Sequence, residues 1–154
     1  MPRIATKADW NSSSHSKNNN PMHTLPIQIR FNDVDQMGHV NNAVIMEYFD
    51  LGKATYFSAA GIPVTPDEGD FCVLIVHCEL DFLRQIRYAD TVSVTTQVTH
   101  WGNKSLEVTQ HVIANGQPAA TCKTVMSGFS RRTQSAAVIP EDIKERVRRY
   151  EATL

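Results

Sequence analysis

The chain has 154 residues and a formal net charge of −1, with 15 Lys and Arg against 16 Asp and Glu. That length suits one domain with an ordinary core, and the even scatter of cations leaves no basic face for nucleic acid or an anionic membrane, so a small metabolite or another protein is the expected partner. No apolar run reaches membrane-spanning length and no hydrophobic leader opens the sequence, so a cytoplasmic protein is expected.

Residues 1–24 are polar and biased, with Asn11-Ser12-Ser13-Ser14 and Asn18-Asn19-Asn20, and read as a flexible tail in which His15 and His23 are solvated. Residues 25–154 then form the single domain. Ile27, Ile29 and Phe31 alternate with Gln28 and Arg30, which predicts a strand over 25–31. Over 43–60, Val44, Ile45, Tyr48, Phe49, Gly52, Tyr56 and Phe57 recur at helical spacing, while Met46, Leu51, Ala54, Ala59 and Ala60 fill the other side. Such a helix is expected to be buried nearly all round. Gly61, Pro63 and Pro66 end it.

Four strands are expected over 71–82, 91–101, 106–114 and 119–129, the first with Cys72, Leu74, Val76, Cys78, Leu80 and Phe82 on one face. The links between them are short and turn-like, so successive strands are expected to pair antiparallel. Cys72, Cys78 and Cys122 have no partner at zinc or redox spacing and read as buried thiols of a reducing compartment. Pro140 at a first helical position, Glu141 and Asp142 after it, and Arg148 and Arg149 near the end mark a short C-terminal helix with Ile143, Val147 and Tyr150 as its apolar stripe. The order β-α-β-β-β-β is that of an α+β domain, and the simplest packing wraps a curved antiparallel sheet around the long helix.

The polar turn Asp33-Val34-Asp35-Gln36-Met37-Gly38-His39-Val40-Asn41-Asn42 joins the first strand to the long helix. It sets acids and an imidazole beside backbone N–H groups that have no intrahelical partner and lie at the positive end of the helix dipole, a place suited to an oxygen gaining negative charge. Asp33 is expected to brace the loop, and Asn41 and Asn42 to cap the helix. Glu47 and Asp50 read as surface or interface groups. His77, Glu79 and Asp81 read as an exposed strand face rather than a metal site.

The run from Asp35 to Asn42 at the mouth of a buried helix resembles the hotdog-fold acyl-CoA thioesterases, most nearly the branch of 4-hydroxybenzoyl-CoA thioesterase. Two further segments resemble it in the same order: Asp81-Phe82-Leu83-Arg84-Gln85-Ile86-Arg87-Tyr88-Ala89-Asp90-Thr91-Val92, and the hairpin Trp101-Gly102-Asn103-Lys104-Ser105-Leu106. The resemblance implies a curved five-stranded antiparallel sheet around one central helix, and hydrolysis of acyl-CoA to a carboxylic acid and CoA. It places the catalytic carboxylate on Asp35 and an assisting histidine on His39, with Met37 where the plant-like members have asparagine. The thioester carbonyl is expected against the N–H groups near Gly38, His39 and Val40, with Val40 and Asn42 as substrate contacts. Asn103, Lys104 and Ser105 correspond to the hairpin that meets CoA. No metal and no separate cofactor is expected, since CoA is part of the substrate.

The resemblance also implies a homodimer, commonly paired into a homotetramer, whose sites lie at subunit interfaces and draw Asp35 and Lys104 from different chains. Tyr48, Phe49 and Phe57 are expected to line an acyl tunnel open to aliphatic and aryl groups alike. The alternatives are a hotdog enoyl-CoA hydratase, because fold does not fix chemistry, and a non-catalytic acyl-CoA-binding protein.

Overall fold

A computed structural model of the chain describes residues 22–154. The tail expectation for 1–21, including His15, lies outside the described residues. Strand β1 spans His23–Ile27 and helix α1 spans Asn42–Ala60; strands β2 (Phe71–Phe82), β3 (Val92–Trp101), β4 (Ser105–Ala114), β5 (Gln117–Ser130) and the two-residue β6 (Ser135–Ala136) follow, and helix α2 (Glu141–Glu151) closes the order.

The strands form one antiparallel sheet in the order β1-β3-β4-β5-β2, with β6 added beside β5. The hairpins β3–β4 and β4–β5 are those expected from their turns. The link from β2 to β3 is not a hairpin: β2 pairs with β5 at the far edge of the sheet. After Phe82 the N–H groups of Leu83 and Arg84 both donate to Ala119 O, and the chain crosses to β3 with Ile86 fully buried.

β1 begins earlier than expected, so His23 is a strand residue rather than part of a solvated tail. The strand stops at Ile27, and Phe31–Asp33 wind into a 3₁₀ turn that leaves Phe31 84% exposed. Asp33 drives this turn by accepting the Arg30 N–H at 2.9 Å while its own N–H donates to Arg30 O. Pro26 is tolerated because β1 is an edge strand with β3 as its one neighbour.

β2 does not keep one apolar face. Its register with β5 slips between Ile75 and His77, so Val73 and Ile75 share a side with Cys78 and Leu80, while Leu74 and Cys72 point the other way. The extra residue, Val76, is 63% exposed. A bulge adds one residue to one strand and inverts the alternation beyond it.

α1 lies on the concave face of the sheet. Asn41 caps it, its Oδ1 accepting the Ala43 N–H at 2.8 Å, and Gly61 ends it in the left-handed conformation. One stripe is buried: Ile45, Tyr48, Phe49, Gly52, Lys53, Tyr56, Phe57 and Ala60. The other side, with Glu47, Asp50, Leu51 and Ala54, faces out, so within a single chain the helix is not enclosed all round. Two apolar clusters fill the space beneath it. One joins the start of α1 (Ile45, Tyr48, Phe49) to Val92, Val112 and Ala120. The other joins its end (Tyr56, Phe57, Ala60) to Val98, Leu106 and Met126, closed over by Ile143 and Val147 of α2. Pro140 is the residue before α2 rather than its first.

Gln110 sits fully buried between the clusters; its Nε2 donates to Phe49 O at 2.8 Å and to Thr96 Oγ1 at 3.0 Å. Gly52 faces these groups, and a Cβ there would stand 2.7 Å from Val94 Cγ1 and 3.0 Å from Gln110 Nε2. The glycine lets helix and sheet approach closely. On β2 and β5 the Cys78 and Cys122 sulfurs lie 3.3 Å apart, both as free thiols. Burial pushes the Cys122 thiol up to about 11, which keeps it protonated and inert at neutral pH.

Candidate active site

The loop before α1 is a closed turn. Val34 and Val40 form an isolated antiparallel bridge, the Asp35 N–H donates to His39 O at 2.9 Å, and the Gly38 N–H donates to Asp35 O at 3.0 Å. The reversal requires φ +80° at Gly38, a conformation glycine adopts without cost. Nothing lies within 4 Å of where a Gly38 Cβ would be, so that side of the loop is open.

Two acids of this loop sit in opposite environments. Asp33 is 1% exposed and fully bonded: its Oδ2 accepts the Tyr48 hydroxyl at 2.7 Å, and its Oδ1 accepts the Arg30 Nε at 3.0 Å beside Arg30 Nη2 at 2.9 Å. Burial pulls its pKa upward, but the Arg30 backbone N–H, the Tyr48 hydroxyl and the Arg30 guanidinium together outweigh it and hold the carboxyl below the usual range. Burial, and then Asp33, raise Tyr48 far above a free phenol. Asp33 is thus the expected brace, pinning the loop to α1.

Asp35 is exposed in the single chain; its Oδ1 accepts the Met37 N–H at 2.9 Å, and no described residue engages its second oxygen. His39 is half-buried, and none of the described residues hydrogen-bonds its ring; its carbonyl, not its imidazole, closes the turn.

The donor set differs from the expected Gly38, His39 and Val40. The Gly38 N–H serves the turn, and the Val40 N–H donates to Ile86 O at 2.7 Å, with Val40 itself 3% exposed. Ile86 thereby ties the second motif to the first. The Ile45 N–H already reaches Asn41 O, and Ala43 is capped. The N–H groups of His39, Asn42 and Val44 have no acceptor among the described residues, and they lie at the positive end of α1.

Asn103 and Lys104 are exposed at the tip of the β3–β4 hairpin and Ser105 is half-buried beside it. The tip is pinned by Gly102 N–H to Ser105 O, Gly128 N–H to Lys104 O and Ile139 N–H to Asn103 O. It stands at the other end of the sheet from Asp35. Ile27, just before the Asp35 loop, pairs with Val92 at the start of β3, whereas the hairpin follows Trp101 at its end. Nine strand steps separate the two ends, about 30 Å. One chain therefore does not unite Asp35, Gly38, His39 and Asn42 with Asn103, Lys104 and Ser105.

The expected acyl lining is corrected in part. Tyr48, Phe49 and Phe57 all pack in the core, 4%, 0% and 4% exposed, and of the three Phe57 also borders a groove between α1 and β2. Lys53, a residue of this groove that sequence reasoning missed, left a signal: it lies between Phe49 and Phe57 at four-residue spacing, on the buried stripe. Glu47 pairs with Arg30 at 3.5 Å, and His77 with Glu79 at 2.9 Å on an exposed strand face. Among the described residues, no group of three potential ligands could hold a metal ion, and no helix is long and apolar enough to cross a membrane.

A curved antiparallel sheet around one long helix is the hotdog fold. Residues 29–147 match the thioesterase-like superfamily, and the chain belongs to it. The chain is 28% identical over 120 residues to a 1,4-dihydroxy-2-naphthoyl-CoA hydrolase of Synechococcus elongatus, covering 76% of this chain and 88% of that protein. It is 26% identical to a 4-hydroxybenzoyl-CoA thioesterase of a Pseudomonas species over 67% of this chain and 75% of the relative. A thioesterase of Thermus thermophilus solved with coenzyme A and Zn is 35% identical and superposes with a TM-score of 0.72 over 81% of this chain and 96% of that one.

Proposed function

We propose that the chain hydrolyses acyl-CoA thioesters at a site built around Asp35 and the mouth of α1, completed by the β3–β4 hairpin of a second copy. One observation carries this reading: the turn that leads into the N-terminus of α1 holds an exposed carboxylate with one oxygen that no described residue engages, together with three N–H groups that have no acceptor among the described residues. The thioester oxygen sits against the His39, Asn42 and Val44 N–H groups, and one such donor is worth roughly 3 to 4 kcal/mol to a developing oxyanion. Asp35 takes a proton from water as the water oxygen bonds to the carbonyl carbon; the tetrahedral intermediate then collapses, the C–S bond breaks, and the CoA thiolate leaves and is protonated. In the alternative route Asp35 attacks directly and water cleaves the resulting anhydride. His39, with a free ring, orients water or shares the proton. Neither route calls on a metal or a separate cofactor.

The second copy supplies two things a lone chain lacks: shelter for Asp35, and the Asn103, Lys104 and Ser105 tip to hold the CoA. The outer edge of β2 is the proposed contact, because Leu74, Ile75, Val76 and Phe82 are 45%, 45%, 63% and 46% exposed along a strand with a free edge. Such dimers then pair into tetramers.

Asp35→Asn keeps the shape of the side chain and removes the base. Thiol release from acyl-CoA is expected to fall by roughly 10²- to 10⁴-fold in kcat with KM little changed. Undiminished turnover removes Asp35 from the mechanism. Enoyl-CoA hydration without thiol release, or tight CoA-thioester binding with no turnover by the unmodified chain, replaces the hydrolase reading with the hydratase or the binding protein.

A further inference from the structure

We infer, resting on the thioester-hydrolase reading, that the groove between α1 and β2 is an acyl subsite in which Lys53 selects acyl groups ending in a carboxylate. The groove holds about 350 Å³, within the range of small-molecule sites. Phe57, Val73 and Met126 give it apolar walls, and its charged lining residues are Asp50, Lys53 and Arg131. Glu68 and Asp70 both feel the Arg131 charge, which leaves the Lys53 ammonium as the cation of the groove with the poorest set of partners.

Lys53 is the unusual member. Its side chain is 5% exposed, although lysine is rarely buried without a full set of partners. The Nζ stands 3.0 Å from Asp50 Oδ1, but the approach lacks hydrogen-bond geometry, and its donors have no hydrogen-bond acceptor among the described residues. Asp50 is itself 56% exposed, so water competes for its carboxylate. Arg131 also lines the groove, and its Nη1 donates to Gly69 O at 2.7 Å.

With the groove empty the Lys53 Nζ is closed to solvent, and a bound carboxylate that draws it into the groove would give it acceptor oxygens and a counter-charge. A hydroxyl would satisfy one donor and leave the charge standing; an alkyl end would leave both. Reach sets the length. The Lys53 ammonium lies at the level of Asp50, seven residues beyond Ala43, so about 10 Å along the axis from the helix mouth, the span of an extended chain of about eight carbons.

The experiment compares kcat/KM for three CoA thioesters of equal length, octanedioyl, 8-hydroxyoctanoyl and octanoyl, with the full-length chain and with Lys53→Met, Lys53→Arg and Asp50→Asn. The unmodified chain is expected to prefer the octanedioyl thioester by roughly tenfold or more, mainly through KM, as one charge-assisted hydrogen bond provides. Lys53→Met levels the three substrates, Lys53→Arg restores the order, and Asp50→Asn widens it by removing the competing internal anion. Octanoyl turnover without discrimination, a hydroxyl preference, or an order that survives Lys53→Met overturns the Lys53 assignment and leaves the hydrolase reading intact. Should Lys53→Met fail to fold, a narrowed preference in Asp50→Asn overturns it as well. Failure to hydrolyse any of the three overturns the Lys53 assignment, and failure on benzoyl-CoA as well overturns the hydrolase reading.

Discussion

Asp33 and Asp35 stand two positions apart and do opposite work. Asp33 spends every oxygen on Arg30 and Tyr48, and Asp35 keeps one free. The sequence shows both acids in one polar turn but not which is buried; that is decided by Tyr48, whose ring belongs to the core and whose hydroxyl needs a buried acceptor. Because Asp33 titrates below an unfolded carboxyl, its contribution to stability is present above the unfolded pKa and is lost as pH falls through the folded one.

His23 was legible only as a polar residue among polar neighbours. In the structure its ring lies 2.5 Å (Nδ1) from the Tyr150 hydroxyl and 3.1 Å (Nε2) from Thr55 Oγ1, joining β1 to α1 and to the end of α2. Burial lowers its pKa, so as pH falls below 6.5 the unfolded chain takes up the proton first and stability declines until the folded ring protonates too. His23→Gln is expected to reduce the loss of melting temperature between about pH 7 and 5, a window set by the ordinary histidine pKa. An unchanged pH profile in the variant removes His23 from this role.

At the scale of elements, periodicity located the long helix and four of the strands to within a residue or two, because burial on one face imposes it. What it missed depends on contacts distant in sequence. The 83–91 link has the length of a hairpin loop, yet β2 pairs with β5, and only the burial of Ile86 and its bond to Val40 show where the link runs. The bulge at Val76 inverts a face that strict alternation cannot invert. Gly52 looks like a weak point in a helical pattern and is instead the place where α1 meets Val94, Thr96 and Gln110. Gly52→Ala gains roughly 1 kcal/mol of helix propensity and costs about 1 to 3 kcal/mol of overpacking. A net loss of stability is expected in urea denaturation, and a net gain would mean that helix and sheet can part there freely.

Across the whole molecule, the two apolar clusters divide the chain into a loop end and a hairpin end, with α1 running between them. The motif order could be read from the sequence, but the distance between its parts could not, since it follows from the register of β1 on β3.

That separation makes defects in the two ends complementary. A chain carrying Asp35→Asn retains a sound hairpin, and one carrying Lys104→Ala retains a sound acid. In the proposed shared site, chains co-refolded in equal amounts would form mixed pairs in which one of the two sites receives both sound halves, so about a quarter of unmutated activity should return where each variant alone has little. No recovery on mixing would mean that each chain does its chemistry without borrowing from a neighbour.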